Sequence, residues 1–588
     1  MEYKNETRNC QNCKKDFVIE QEDFNFYEKI KVPPPTFCPE CRAIRRMTWR
    51  NERSLFHRIC DFSGKKIISM FHPESRIKVY DRDIWWSDDW DPSEYGQDYD
   101  FNRPFFEQFN ELLHKVPLAS LGNTHVINSA YGNHNLDCKD CFLLYASYDN
   151  ERVHYSQGAL KLKDCMDTYS LLKSSFCYED VLSGSLYQTH FSYDSDESIN
   201  SFFLKSCVNC QNCIGCMNLR NKSYCIFNEQ YSVDEYLKIK KGFDFGSYKL
   251  ITNFKHKYKD FVFKFPHRYA GIIKSKNCTG DNILNSKNTK YSFDIYGNIE
   301  DSKFVAHGVD CKDSYDCYGF GIGSLLYEVV DCGNQSGNNY FSVLVHGCLN
   351  TSYVYMCYNS KNIFGSIGIR KGEYYILNKK YSKKEYEELV PKIIQHMNDM
   401  PYIDKRGIAY KYGEFFPSEL SLFAYNETIA QEYFTKTKES IVNEGYEYRN
   451  PIKRGYKITL NSNDIPDHIM SIPDTIIDEV IECPNKGSEL TQCTEAFKIR
   501  KDELDFLKKN NIALPRFCPN CRHYQRLEQR NPLKLWQRQC MCGSVGSPQA
   551  TTKHLHGNKP CKVEFETSYA PDRPEIIYCE KCYQQEVY

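Results

Sequence analysis

A chain of 588 residues is too long for one hydrophobic core and must divide into several domains. Its 76 Lys+Arg against 77 Asp+Glu give a formal net charge of −1, which excludes a global polyanion-binding field. The N-terminal MEYKNETRNC has no apolar h-region and no stretch approaches the ~20 apolar residues of a membrane helix, so neither a signal peptide nor a membrane span is expected. The 29 Cys are then expected to be metal ligands or buried free thiols in a reducing cytoplasm.

The first segment, residues 1–84, carries Cys10-x2-Cys13, a 24-residue spacer, then Cys38-Pro-x-Cys41. Four thiolates at this spacing predict one tetrahedral Zn²⁺. After the second pair, Arg42 to Arg53 lacks Gly and Pro and is expected to be helical, with Arg42, Arg45, Arg46, Arg50 and Arg53 on one face. Such a stripe could grip phosphates. The plainer alternative is a solvated face paired to Glu40 and Glu52. Residues 85–120 form an acidic-aromatic connector, in which Phe105, Phe109, Leu112 and Leu113 suit a short amphipathic helix.

From Asp149 the chain falls into consecutive twelve-residue units, such as DNERVHYSQGAL and KLKDCMDTYSLL. The fifth positions read Val153, Cys165, Cys177, Thr189, Ser201 and Cys213, sizes that stack inside a narrow coil. Short apolar runs broken by Asn, Asp, Ser and Gly predict a parallel β-solenoid over 121–231, with two units expected per coil of about 24 residues. Cys207, Cys210, Cys213 and Cys216 follow C-x2-C-x2-C-x2-C. They read as structural thiols, with a further metal or an iron–sulfur cluster as the rival. Cys138/Cys141 reads likewise. A helical connector is expected over 232–275.

A second solenoid strip, 276–381, has a looser period of eleven to thirteen. The strips end alike, with LRNKSYCIFNEQYSVDEY matching IRKGEYYILNKKYSKKEY 150 positions later. Each enters a helix through a capping box, Ser232-x-x-Glu235 and Ser382-x-x-Glu385. A helical segment is expected over 382–450 and a linker over 451–482.

The last segment, 483–588, repeats the first. Cys13, Cys38, Cys41 and Cys60 recur as Cys493, Cys518, Cys521 and Cys540, each 480 positions on, together with Arg42/Arg522, Arg46/Arg526 and Arg50/Arg530. Cys483 replaces Cys10 at a longer spacing. This copy is expected to bind one zinc through Cys483, Cys493, Cys518 and Cys521, and a second through Cys540, Cys561, Cys579 and Cys582. Cys542 competes for the Cys540 place, and His554 and His556, in an insertion of 18 residues, compete more weakly. In the first copy Ser63, Asp81 and Ile84 stand where three of these ligands would be, leaving Cys60 as a buried thiol. Three zinc ions are expected in all, and no iron–sulfur cluster. Arg522, Arg526 and Arg530 repeat the candidate phosphate-binding stripe, with Glu528 nearby.

The terminal segments resemble small treble-clef zinc domains, through C-x2-C, Phe17, EDFNFYEK, the proline run and CPECR. That resemblance implies two zinc knuckles with a hairpin between them and a helix after the second. The whole chain resembles a family of uncharacterised proteins from small-genome uncultured bacteria. The matching phrases include CKKDFVI, FNRPFFEQF, CIFNEQYS, GEFFPSELSLFAYNETIAQEYF and SYAPDRPEIIYCEKCY. Some relatives carry a CoA-transferase label, but no residue pattern in this chain supports such chemistry. There is no Gly-rich phosphate loop, nucleophile elbow or H-E-x-x-H. The fold class expected is mainly β: two tandem parallel β-solenoids with flanking helices, bracketed by duplicated zinc modules. The function expected is a non-enzymatic, zinc-stabilised scaffold for a macromolecular partner, either nucleic acid, a ribonucleoprotein or protein, with no membrane. The alternative is a redox enzyme using Cys207–Cys216.

Overall fold

A three-residue rule builds the middle of the chain. The computed structural model describes residues 4–129, 131–452, 455–543, 554, 556, 557 and 559–588. Through the first strip every third residue has positive φ, including Asp149 (56°), Arg152 (52°), Tyr155 (55°), Lys161 (57°), Asp164 (53°) and Asp167 (54°). Each left-handed residue turns an extended chain through a corner. The residue after a corner points inward: Val153, Cys165, Cys177, Thr189, Ser201 and Cys213 are all fully buried. The next residue pairs in parallel with its equivalent twelve positions on, as in Gln157↔Tyr169↔Val181↔Tyr193↔Lys205. Four triplets close one coil. The expected coil of two units is therefore corrected: one twelve-residue unit is a complete turn, because a corner at every third position leaves no long flat side.

Hydrogen bonding explains the small polar residues inside. The pairing residue donates to the carbonyl of an inward residue in the following coil (Tyr169 N to Asp180 O, 3.0 Å). The corner residue donates to the preceding coil (Ser170 N to Gln157 O, 2.9 Å). The inward residue's N–H turns toward the axis, where inward side chains one coil earlier accept it. Examples are Ala159 N to Ser147 Oγ (3.0 Å), Leu162 N to Asn150 Oδ1 (2.9 Å), Thr168 N to Ser156 Oγ (3.1 Å) and Cys213 N to Ser201 Oγ (3.0 Å). A buried N–H left unpaired would cost about 1–3 kcal/mol, so inner serines and asparagines hold the stack together. Inner thiols donate instead: Cys165 Sγ lies 3.3 Å from Lys163 O and 3.7 Å from Ser174 O.

The second strip follows the same rule with uneven coils. Ile272 pairs with Ile283, Cys311 with Gly323 and Gly323 with Ser336, spacings of eleven, twelve and thirteen. In the last of these coils Asn334 and Gln335 both take positive φ. Each strip ends in the same cap. Phe227 and Asn228, like Leu377 and Asn378, both have positive φ and turn the last strand into an antiparallel hairpin. The Asn228 side chain accepts from Met217 N (2.9 Å) and donates to Met217 O (2.9 Å), and Asn378 does the same for Ile367 (2.7 and 2.8 Å). One amide thus takes the place of the missing next coil at that position, blunting the open edge. Both capping boxes form, opening helices Val233–Lys240 and Lys383–Asp399. The hairpins, not these helices, close the strand edges, and a separate helix, Tyr248–Val262, flanks the coils through Phe254 against Phe203 and Phe227.

Two units divide the chain, and each combines a terminal module with a solenoid strip. One comprises Met1–Gly122, Ala270–Arg449 and Leu533–Leu535; the other comprises Asn123–Tyr269, Asn450–Pro532 and Trp536–Tyr588. The connectivity is crossed, since the N-terminal module shares a unit with the second strip and the C-terminal module with the first. In the first unit, the connector's helix Phe105–Lys115 forms and packs on Tyr353 and Phe364. In the second, the segment read as a linker is anchored by buried Ile465, Ile469, Ile472, Ile476 and Ile481. Among the described residues no helix is long and apolar enough to cross a membrane.

The ladder makes a direct prediction. Cys165, Cys177 and Cys213 should resist a thiol reagent in the native protein, because burial raises the Cys177 thiol well above its usual range and leaves it inert. Cys177→Val should be tolerated within about 1 kcal/mol, as Val153 fills an equivalent place, whereas Cys177→Asp should cost at least about 3 kcal/mol. Chemical denaturation with thiol counting checks both. Fast native labelling of all three would contradict the ladder.

Candidate metal centres

The N-terminal knuckle sits in a tight hairpin. Strands Glu6–Asn9 and Asp16–Ile19 pair antiparallel, and Lys14 at φ 61° closes the turn between Cys10 and Cys13. The second pair, Cys38 and Cys41, lies at the start of helix Pro39–Met47, with Cys38 as its N-cap residue. The spacer departs from the treble-clef expectation. It forms helix Gln21–Ile30, because Phe24, Tyr27 and Ile30 recur at helical spacing and bury one face. The helix after Cys41 ends at Met47, shorter than expected. Trp49 N to Arg46 O and Arg50 N to Met47 O then continue it as a tighter turn.

Three groups of four cysteines converge as expected: Cys10, Cys13, Cys38 and Cys41; Cys483, Cys493, Cys518 and Cys521; Cys540, Cys561, Cys579 and Cys582. Within each group the sulfurs lie within 4.8 Å of one another, and any of them could hold a metal ion. Their surroundings fit thiolates. Backbone N–H groups donate to sulfur from Cys38 to Cys10 (3.2 Å), from Cys518 to Cys483 (3.4 Å) and from Cys579 to Cys540 (3.2 Å). Asn12 and Asn485 donate to Cys41 and Cys521 at 3.2 and 3.1 Å. Such donors orient the sulfurs and stabilise charge on them. The neighbouring thiols of Cys38 and Cys41 hold Cys10 well below the usual thiol range while their own are pushed up, and Cys518 is likewise held low while Cys483 and Cys521 are pushed up, so the negative charge of each group settles first on one sulfur.

Cys542 does not take the Cys540 place. With His554, His556 and Cys582 it forms a fourth group. Residues 544–553, 555 and 558 of the insertion lie outside the described residues. In the N-terminal copy Cys60 is buried and accepts from Asp81 N (3.2 Å), the counterpart of the Cys579–Cys540 contact.

Six of the eight stripe arginines, Arg42, Arg45, Arg46, Arg50, Arg522 and Arg526, are buried rather than solvated or open to phosphate, and Arg53 and Arg530 are half-buried. Arg42 and Arg46 pair with Asp316 (2.9 and 3.0 Å), Arg46 and Arg45 with Glu328 (3.0 and 2.7 Å), and Arg45 with Glu414 (2.7 Å), all buried. Arg50 meets Glu52 and Asp331, and Arg53 meets Glu432 at 3.8 Å. In the other unit Arg522 pairs with Asp167 and Glu503, both at 2.9 Å, Arg526 pairs with Asp167 at 2.8 Å, and Arg530 donates to Tyr169 Oη at 2.8 Å. The knuckle helix of each module is thus bolted to the solenoid strip of its own unit. Asp316, Glu328 and Asp167 are left-handed corner residues, at φ 58°, 50° and 54°. Nearby acids in sequence, the expected partners, were the wrong place to look except for Glu52.

Cys207, Cys210, Cys213 and Cys216 fill the four inward positions of one coil and are fully or almost fully buried. Each donates to the carbonyl two residues earlier, at 3.4, 3.6, 3.5 and 3.5 Å. Ladder thiols outside this run, Cys165 and Cys348, make the same bond at 3.3 and 3.6 Å. Among the described residues these four do not form a group with all sulfurs within 4.8 Å of one another. Cys138 and Cys141 follow the same pattern.

No family model matches the chain, and no curated protein does. Among solved structures, a chain described as a candidate acetyltransferase from Desulfovibrio desulfuricans G20 is similar over 49% of this chain and 85% of its own length, at 8% identity and a TM-score of 0.09. A score that low carries no argument about fold or activity.

Proposed function

We propose that the protein is a non-enzymatic scaffold, stiffened by zinc, whose solenoid flanks present a rigid surface to a macromolecular partner in the cytoplasm. The observation that carries this reading is the repeated bolt: in each unit a four-cysteine module sets a helix whose buried arginines grip solenoid corners. Such a device holds a surface in place and exposes no reacting group. Zinc suits the three sites because four closed thiolates with donated N–H groups are a structural donor set. Because the stripe arginines are engaged internally, a protein partner is favoured over nucleic acid. The redox alternative at Cys207–Cys216 loses ground because each of those thiols donates to the carbonyl two residues earlier, as ladder thiols elsewhere in the solenoids do.

The test is affinity purification of the full chain with identification of bound protein and nucleic acid, alongside gel shifts with RNA and DNA. A stoichiometric protein partner and no shift at low salt are expected. A nucleic-acid complex whose affinity falls steeply with salt would reverse the choice of partner. Iron with visible absorbance in anaerobically prepared protein would favour the redox reading instead.

A further inference from the structure

We propose that the C-terminal module holds, besides the ion at Cys483, Cys493, Cys518 and Cys521, two further zinc ions that share the Cys582 thiolate, one bound by Cys540, Cys561 and Cys579 and the other by Cys542, His554 and His556. The inference rests on the zinc reading of the module and adds to it a site supplied by the insertion. Cys582 belongs to both convergent groups, and in each the four ligand atoms lie within 4.8 Å of one another. Two tetrahedral ions need eight ligand positions; seven side chains are present, and one bridging sulfur supplies the eighth.

The second group is arranged as a site and not merely gathered. Cys542 Sγ lies 2.7 Å from His554 Nδ1 and 3.6 Å from His556 Nε2, while Cys582 Sγ lies 3.4 Å from His556 Nε2. The far nitrogen of each ring has its own partner. His554 Nε2 meets Glu586 Oε2 at 3.1 Å, and His556 Nδ1 donates to Lys559 O at 2.7 Å. These bonds select the tautomers that leave His554 Nδ1 and His556 Nε2 as lone-pair donors facing the sulfurs. Carboxylate and carbonyl partners of this kind are the usual outer shell of metal-bound histidine.

Helix Glu580–Val587 supplies Cys582 and, one turn on, Glu586, so a single face offers both the bridge and the orienting acid. Cys542, His554 and Cys582 are 2%, 4% and 2% exposed and His556 is half-buried, and four protein ligands leave no open position for water, which marks the site as structural. Charge argues the same way. One Zn²⁺ with four thiolates carries −2, whereas two Zn²⁺ with five thiolates and two neutral imidazoles carry −1. The second ion therefore lowers the buried charge.

Metal analysis of the full chain, purified anaerobically with zinc alone, tests this. Four zinc ions per chain are expected, falling to three in the double variant His554→Ala/His556→Ala with unchanged circular dichroism. Glu586→Gln should weaken one ion by about 10–100-fold while keeping the others. In the cobalt-substituted protein, two ions sharing a thiolate should couple magnetically, and the double histidine variant should abolish the coupling. Three zinc ions in the wild type, unchanged in the double variant, would overturn the second site and leave the three-site reading standing. Four ions without magnetic coupling would overturn the shared thiolate. One zinc or none would instead defeat the zinc reading of the modules as a whole.

Discussion

Asp167→Ala is expected to cost about 3–5 kcal/mol and to release the C-terminal knuckle helix from its solenoid. Asp167 is fully buried, accepts from the buried guanidinium of Arg526 at 2.8 Å and forms an ion pair with that of Arg522 at 2.9 Å. Without it Arg522 keeps Glu503, and Arg526 keeps the carbonyl Tyr155 O at 3.0 Å but loses the Asp167 charge. A buried cation that has lost its counter-charge is more damaging than a pair never made. The variant Asp167→Ala/Arg526→Met should therefore recover part of the loss, which a denaturation series on the four corners of the cycle would show. Asp167→Asn isolates charge from shape, since asparagine also tolerates the left-handed corner at φ 54°. It should fall between wild type and alanine. Hydrogen exchange over Pro519–Leu527 should accelerate in the alanine variant before the inner ladder opens. A surface-like loss below about 1 kcal/mol would mean that the bolt does not hold the helix.

The sequence carried the parts of this architecture that are local or duplicated. The spacing of Cys13, Cys38 and Cys41 recurs unaltered in Cys493, Cys518 and Cys521, and this made the copy legible even though the gap before Cys493 had lengthened. The capping boxes at Ser232 and Ser382 were legible because their partners sit three residues away. The coil length was not, because a twelve-residue period fits one turn or half of one. The corner residues that decide it include Tyr155, Phe176 and Phe191, side chains that give no hint of positive φ. Nor could the arginine stripes be assigned. Asp316 and Glu328 lie more than 270 positions beyond Arg45 and on the solenoid of the other half of the sequence, so the crossed pairing leaves no trace in local pattern. His554 and His556 were read as competitors for one ion because sequence order cannot show that Cys582 lies between two groups.

Cys38→Ser is expected to remove one zinc and to unfold the N-terminal module, lowering stability by several kcal/mol. Structural zinc contributes on the order of 10 kcal/mol of folding free energy to isolated zinc-finger peptides, and losing one thiolate forfeits much of it. The effect should spread beyond the knuckle, because Cys38 and Cys41 tie the start of the helix that carries Arg42, Arg45 and Arg46 to the metal group. If that helix frays, Asp316 and Glu328 remain fully buried on the solenoid without their cations. The Gln21–Ile30 helix, which stacks Phe26 on Tyr315 with ring centroids 4.0 Å apart, should also lose its anchor. Cys60→Ser provides the control. It changes a buried thiol of the same module outside the converging group, so it should keep every zinc and cost no more than about 1–2 kcal/mol. Zinc content and thermal unfolding of the two variants separate metal from thiol. One zinc fewer with an unchanged melting temperature in Cys38→Ser would show that the module folds without its ion and owes its stability to the buried ion pairs, whereas unchanged zinc would remove Cys38 from the ligand set.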